Sequence, residues 1–228
     1  MATRKLHPEG LLGKKLGMTQ VFTPEGETVP VTIIQLGPCF ILGVKQESSD
    51  GYKAVQLGFE PRKNQRVNKP LMGHFGKAGG GAFYHVREVR CDIDALGWTT
   101  PGRELKAAEV FADGDMVDVS GITIGRGFAG VVRRYRIGGQ PASRGTHEFE
   151  RHVGSIGCRK FPGRVFKNQR MPGHMGAVHR TVQNLKIMAV KGDDNIVLVR
   201  GAIPGPRGAV VEVRKAMKSY KGKERAAA

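Results

Sequence analysis

Apolar and polar residues alternate in short runs over the first quarter of the chain, and turn-forming residues separate the runs. Many of the residues in these runs are β-branched, as at Val31, Thr32, Ile33 and Ile34. These runs predict strands at residues 17–22, 29–36, 40–45 and 52–59. Short strands at this spacing, interrupted by Gly, Pro and Asp, indicate a β-barrel or a β-sandwich.

The same pattern returns later in the chain. It predicts strands at residues 115–119, 182–190, 196–200 and 209–213. The two β-rich blocks flank a long irregular stretch, and each block is too short to bury a full core alone. The simplest interpretation is a mainly β protein, in which residues 10–120 and 181–214 complete one barrel domain.

Residues 121–180 form the irregular stretch between the two blocks. They contain 12 Gly, 12 Lys and Arg, four His and no Asp, with few large apolar residues. Only residues 130–136 have the pattern of a helix, and it is a short one. Because such a segment buries little apolar surface, it cannot offset the entropy cost of ordering itself. We therefore predict an extension that either stays disordered or is ordered by a binding partner.

Charge divides the chain in the same places. The formal net charge is +17, from 37 Lys and Arg against 20 Asp and Glu. Residues 121–180 carry +10, a predicted loop at 60–90 carries +5, and a tail at 215–228 carries +4. Residues 91–120 carry −5. This excess of positive charge predicts a polyanionic partner, because net charge reports on partners rather than on fold.

Cysteine usage and hydropathy exclude several classes of protein. Cys39, Cys91 and Cys158 lie far apart and form no CxxC pair, so a zinc or redox site has no support. No apolar run approaches the roughly 20 residues of a membrane span. The first residues lack the apolar region of a secretory signal. We expect an intracellular protein with reduced thiols, and a short organellar leader stays open.

Two motifs resemble enzyme signatures. Residues 125–130 read GRGFAG and match GxGxxG, but a Gly- and Pro-rich stretch follows where a dinucleotide-binding fold needs a long apolar helix. Residues 147–152 read HEFERH, and Arg151 stands where HExxH needs its second His. The acids of residues 91–120 are interpreted as a solvated face. We therefore expect no enzyme, no cofactor and no metal.

The basic residues of the irregular stretch are the strongest candidates for chemistry. Gly and Pro separate them, and Phe149, Phe161 and Phe166 lie between them. Arg guanidinium groups match phosphate oxygens and stack on bases, as His and Phe rings also can. The candidate RNA-binding residues are Lys14, Lys15, Lys69, His74, Arg126, Arg133, Arg134, Arg144, His147, Arg151, His152, Arg159, Lys160, Arg164, Lys167, Arg170, His174 and Arg180.

Several distinctive stretches occur in a fixed order along nearly the whole chain. They include GKKLGMTQ at residues 13–20, NKPLMGHF at 68–75, GSIG at 154–157, PGRVF at 162–166, GHMG at 173–176, VQNL at 182–185 and GAIPG at 201–205. Together these stretches resemble the ribosomal protein L3 family in its bacterial-length branch.

This resemblance implies a six-stranded barrel of the translation-protein type and a role as a structural component of the large ribosomal subunit in the cytoplasm. It implies binding near the 3′ end of the large-subunit rRNA, early action in assembly, and large-subunit proteins fourteen and nineteen as neighbours. It also implies that the extension runs toward the peptidyl-transferase centre. Its tip would be Gly154, Ser155, Ile156, Gly157 and Cys158.

One position departs from the pattern of the family. Many bacterial members carry a methylated glutamine after Gly-Ser-Ile-Gly, and this chain has Cys158 there, so that methylation is impossible. Two other functions stay open from the residues alone. One is a hydrolase acting on nucleic acid, for which Glu148 and Glu150 are the acids of the basic stretch. The other is a non-ribosomal RNA chaperone built on a β-barrel.

Overall fold

The computed structural model describes residues 10–79, 81–91 and 100–218. Within them the chain forms two compact units. The barrel unit comprises residues up to Ile122 and from His179 onward, and the central unit is Thr123–Val178. The sequence placed the boundaries of the extension at residues 121 and 180. Residues 219–228, most of the predicted basic tail, lie outside the described residues.

Strands dominate the barrel unit. They are β1 (Gly10–Phe22), β2 (Thr28–Leu36), β3 (Cys39–Lys45), β4 (Ala54–Arg62), β5 (Ala82–Val89), β6 (Glu104–Leu105), β7 (Met116–Ile122), β10 (His179–Lys191), β11 (Ile196–Arg200) and β12 (Val210–Lys215). Two further strands, β8 (Phe128–Ala129) and β9 (Gly173–His174), belong to the central unit. The described helices are short: α1 (Glu47–Asp50), α2 (Lys69–Lys77), α3 (Ala107–Val110) and α4 (Val131–Tyr135). None of these helices has the length and hydropathy needed to cross a lipid bilayer.

Six strands close into an antiparallel barrel in the order β1-β12-β7-β10-β11-β2. Alternate residues point inward, as the two-residue repeat of a strand requires, so Val117, Val119, Val211 and Val213 are all buried. Strands β1 and β2 approach each other closely at Gly13, where a Cβ would lie only 2.7 Å from the carbonyl oxygen of Gln35. The predicted mainly β fold with a six-stranded barrel is confirmed.

Four other strands form a separate antiparallel sheet in the order β5-β4-β3-β6. The sequence assigned the strands near residues 40–45 and 52–59 to the barrel, and that assignment is wrong. Their buried side chains, among them Ile41, Leu57 and Phe59, join the same hydrophobic cluster as barrel residues such as Leu12 and Ile34. The second sheet therefore extends the barrel core.

The segment at residues 60–90 is not the loop that the sequence predicted. It contains a 3₁₀ turn at Asn64–Arg66, helix α2 and strand β5. Pro70 lies in the first turn of α2, where a missing N–H costs nothing. Phe75 and Ala78 are buried against Leu42 and Phe83 in a second small cluster. The prediction failed because α2 is short and contains Gly73 and Gly76, both unfavourable inside helices.

The central unit has little core of its own. Ala129 and Val131 are its only buried residues. Its regular elements are the two-residue pair β8–β9, helix α4, which the sequence predicted, and a 3₁₀ turn at His147–Arg151. The rest is turn and irregular backbone.

Candidate nucleic-acid interface

Positive charge is concentrated and unpaired in the central unit. Thr123–Val178 contains nine Arg and two Lys against Glu148 and Glu150. All of these residues are described, and none forms an ion pair within 4.0 Å with another described residue. The ion pairs that do form, such as Arg103–Glu109 and Lys45–Asp50, lie in the barrel unit. The central unit is therefore a cationic surface whose charges the described chain does not neutralise.

The two strands β8 and β9 tie the ends of the central unit together. Phe128 pairs with His174, and the backbone N–H of Arg126 donates to the carbonyl of Met175 at 2.8 Å. Gly176 has a positive φ of 77°, and a Cβ there would collide with the carbonyl oxygen of Ile124. The tight backbone leaves Arg126, Phe128 and His174 exposed.

Helix α4 presents a cluster of cations around one aromatic ring. The guanidinium carbon of Arg134 lies 5.0 Å from the ring centroid of Tyr135, and that of Arg170 lies 5.9 Å from it. Nη1 of Arg134 donates to the carbonyl of Met171 at 2.8 Å, so this side chain also fastens α4 to the returning chain. Arg133 is exposed. Sequence reasoning did not single out Arg136, which is exposed in the left-handed conformation just after α4.

The segment between α4 and the predicted tip folds back on itself. The backbone N–H of Gln140 donates to the carbonyl of Glu150 at 2.9 Å. Gly139 allows this approach, because a Cβ there would collide with the same carbonyl. Arg144, His147 and Arg151 are exposed around this turn. His152 is exposed as well, and its ring lies edge-to-face with that of Phe149 at 4.9 Å between centroids.

The predicted tip is an exposed loop. Its conformation relies on Gly154, with φ of 82°, and Gly157, with φ of 147°. The Ser155 hydroxyl accepts a hydrogen bond of 3.4 Å from the Gly157 N–H. Ile156 and the free thiol of Cys158 are exposed. The predicted cations that follow the tip are exposed too: Arg159, Lys160, Arg164 and Lys167.

Exposed aromatic side chains accompany these cations. Phe128 is 80% exposed, Phe161 88% and Phe166 60%, which are high values for side chains of this size. Flat apolar rings beside guanidinium groups are the combination that stacks unpaired bases and holds backbone phosphates. The arrangement suits single-stranded or irregular RNA.

Five of the predicted residues belong to the barrel unit, and three of them are exposed on β10 and α2. Arg180 is exposed on β10. Lys69 and His74 are exposed on α2, and Nε2 of His74 lies 2.9 Å from Oε1 of Gln56. These side chains can contact a ligand only on the surface of the barrel unit.

The two lysines of β1 have roles within the protein. Nζ of Lys14 forms an ion pair with Glu60 at 3.0 Å. Lys15 is buried, and its Nζ donates to the carbonyls of Ile203 and Gly205 at 3.1 and 3.0 Å. Burial lowers the pKa of the Lys15 ammonium group. Both hydrogen bonds of the Lys15 ammonium group are made within the protein and hold the loop before β12, so we remove Lys15 from the candidate set.

Among the described residues there is no group of three or more side chains that could hold a metal ion. The thiol of Cys39 is buried, and burial raises its pKa to about 12, which keeps it protonated and unreactive.

Comparison with known proteins finds relatives that match nearly the whole chain. A family model described as Ribosomal protein L3 matches residues 100–195. The chain is 46% identical to the large ribosomal subunit protein uL3 of Syntrophotalea carbinolica, over 92% of this chain and 99% of that protein. It is 47% identical to uL3 of Acidothermus cellulolyticus, over 96% and 98% of the two chains. Against uL3 of Brachyspira hyodysenteriae the identity is 43%, over 94% and 97%.

The chain belongs to the ribosomal protein L3 family. Members of the L3 family are structural components of the large subunit of the cytoplasmic ribosome and are not enzymes. The hydrolase and the non-ribosomal chaperone are therefore set aside. The sequence resemblance to the L3 family, and the expected ribosomal role with large-subunit rRNA and ribosomal proteins as partners, are confirmed.

Proposed function

We propose that the chain binds large-subunit rRNA chiefly through the central unit, Thr123–Val178. One observation carries the proposal: eleven cations share a segment that has two acids, two buried residues and no ion pair. Like charges held this close repel one another unless a polyanion neutralises them. Phosphates of rRNA supply that neutralisation, and bases of rRNA, by covering the exposed rings, supply the packing that the segment lacks.

The finer parts of the proposal follow from the family resemblance. The binding site lies near the 3′ end of the large-subunit rRNA, and the protein acts early in assembly. In this proposal the extension at residues 121–180 penetrates the rRNA. The barrel domain, residues 10–120 and 181–214, anchors the protein, and the tail at 215–228 adds positive charge. Large-subunit proteins fourteen and nineteen are its neighbours. Gly154 to Cys158 would be the part nearest the peptidyl-transferase centre.

Salt dependence of binding tests the role of the central unit. Each phosphate neutralised contributes about −0.7 to −0.9 to the slope of log K against log salt. Replacing Arg159, Lys160, Arg164 and Lys167 by Ala should therefore reduce the slope by about 3 to 4 and weaken binding to large-subunit rRNA. The matched control removes four exposed cations of the barrel unit: Lys186, Lys191, Arg200 and Arg207. Equal losses in the two variants would contradict the proposal.

Cys158 provides a direct test of where the tip lies. It is exposed, whereas Cys39 and Cys91 are buried, so a thiol-reactive iron chelate will label Cys158 selectively. Hydroxyl radicals generated at that position in assembled large subunits should cleave rRNA around the peptidyl-transferase centre. A Cys158→Ser protein treated identically gives the background. Cleavage confined to other regions would refute the proposed location of the tip.

A further inference from the structure

The central unit contains an open cavity of about 920 Å³. Its lining is mostly apolar side chains and glycine backbone, with a few polar groups among them. The side chains that matter here are Val131, Gln140, Phe149, Arg151, His152 and Ile156. Pockets for small organic groups have volumes of roughly 300–1,000 Å³ and the same mixture of apolar walls and few polar groups. A concavity of this kind is unexpected in a segment with so little core.

Backbone hydrogen bonds fix the wall of this cavity. The Phe149 N–H donates to the Thr146 carbonyl at 3.1 Å, and the His152 N–H donates to the Phe149 carbonyl at 3.1 Å. The hydrogen bond from the Gln140 N–H to the Glu150 carbonyl, which Gly139 makes possible, holds the segment around Gln140 against this turn. The cavity is therefore bounded by backbone that is tied together on two sides.

The aromatic pair in the wall leaves a flat surface available. The rings of Phe149 and His152 are nearly perpendicular, at 74°. An edge-to-face contact covers at most one face of each ring, so at least one face of Phe149 is not covered by His152. Phe149 is 55% exposed. An aromatic face in an apolar cavity favours a planar ring as its occupant.

We propose that this cavity binds one unstacked nucleobase of the large-subunit rRNA. The inference rests on the proposed rRNA binding and specifies one subsite within it. Phe149 stacks on the base, and Arg151 at the lining attracts its phosphate. The carboxamide of Gln140 presents a donor and an acceptor side by side, which matches the edge of a base. The side chain of Gln140 makes no hydrogen bond to another described residue, so both groups are available.

Charge favours RNA over other occupants. A single cation, Arg151, lines the cavity, so the cavity does not suit a lone phosphate or another small anion. An apolar protein segment would fit the apolar walls but would gain nothing from the nine Arg and two Lys of the surrounding unit. A base joined to a phosphate backbone satisfies both the walls and the surrounding charge.

Chemical probing of individual bases tests this inference. Full-length protein is bound to large-subunit rRNA, and base reactivity is read with dimethyl sulfate and a carbodiimide. Hydroxyl-radical footprinting reports on the backbone in the same samples. The variants are Phe149→Leu, which removes the flat face but keeps apolar volume, and Gln140→Ala. The matched control is Phe22→Leu, at an exposed Phe of the barrel unit.

We expect wild-type protein to protect a base that becomes reactive in both variants, while the backbone footprint persists. Loss of one stacked base should weaken binding about 5- to 150-fold in Phe149→Leu, and Phe22→Leu should behave as wild type. Unchanged base reactivity in Phe149→Leu and Gln140→Ala would overturn the nucleobase site while leaving rRNA binding intact. Absence of any wild-type footprint would overturn rRNA binding as well, so the two failures are distinguishable.

Discussion

Removal of the central unit should leave the barrel folded. His179 is the direct cross-strand partner of Ile122 in the β7–β10 pair, so the two ends of the unit already lie side by side. Antiparallel neighbours at such a position can be joined by a two-residue turn, for which Asn-Gly is preferred. We therefore propose a variant in which Asn-Gly replaces Thr123–Val178.

The structure sets the size of the expected effect on stability. The main hydrophobic cluster contains no residue of Thr123–Val178. Shortening a connection from 56 residues to two also reduces the entropy of loop closure, by up to about 3 kcal/mol, since each doubling costs about 0.6 kcal/mol. The free energy of unfolding in urea should therefore be unchanged or should rise by up to about 3 kcal/mol.

Affinity for rRNA should change in the opposite direction. The deletion removes eleven cations, so the slope of log K against log salt should fall in magnitude by as much as about 8 to 10. Fluorescence anisotropy over a series of KCl concentrations measures both the affinity and the slope. A deletion variant that unfolds, or that binds rRNA as tightly with the same slope as the full chain, would refute the reasoning.

Three further predictions concern the barrel unit. Lys15→Met should cost about 1–3 kcal/mol in urea unfolding for each carbonyl left without its donor, whereas Lys14→Met should cost less than about 1 kcal/mol; equal costs would contradict the assignment. Gly58→Ala should destabilise by about 1–3 kcal/mol, because its Cβ would lie 2.6 Å from the Phe83 ring, and an unchanged melting temperature would disprove this contact. Burial raises the pKa of Cys39 from 9.0 to about 12, so its contribution to stability is complete below pH 9 and is lost as pH rises toward 12. Calorimetry of wild type and Cys39→Ala across that range should show a difference that shrinks with pH, and a constant difference would refute it.

The sequence was sufficient for the parts of the fold that depend on local pattern. Alternation of apolar and polar residues predicted the strands of the barrel, because one face of each strand must be buried. It did not show which strands pair. Strands β3 and β4 have the same pattern as β1 and β2, and only the long-range pairing of β1 with β12 and of β2 with β11 separates the barrel strands from the second sheet.

The candidate interface was predictable where composition determines it. The excess of Arg and Gly in the central unit was visible in the sequence, as was its poverty in core residues. The burial of Lys15 was not, since Lys14 and Lys15 are chemically alike and the register of β1 decides which one turns inward. The cavity beside Phe149 was also invisible, because its lining comes from stretches as far apart as Gly130 and Pro172.

The pairing of β1 with β12 has a consequence for how the chain folds as it is made. Gly10 lies opposite Arg214, so the first strand of the barrel finds its neighbour only after more than two hundred residues. At synthesis rates of about 5–20 residues per second, this delay is roughly 10–40 s. During that time the edge of β1 that pairs with β12 stays open, and an open strand edge is a template for aggregation. The order of the barrel strands along the chain therefore leaves the nascent protein exposed to edge-to-edge association until β12 has been made.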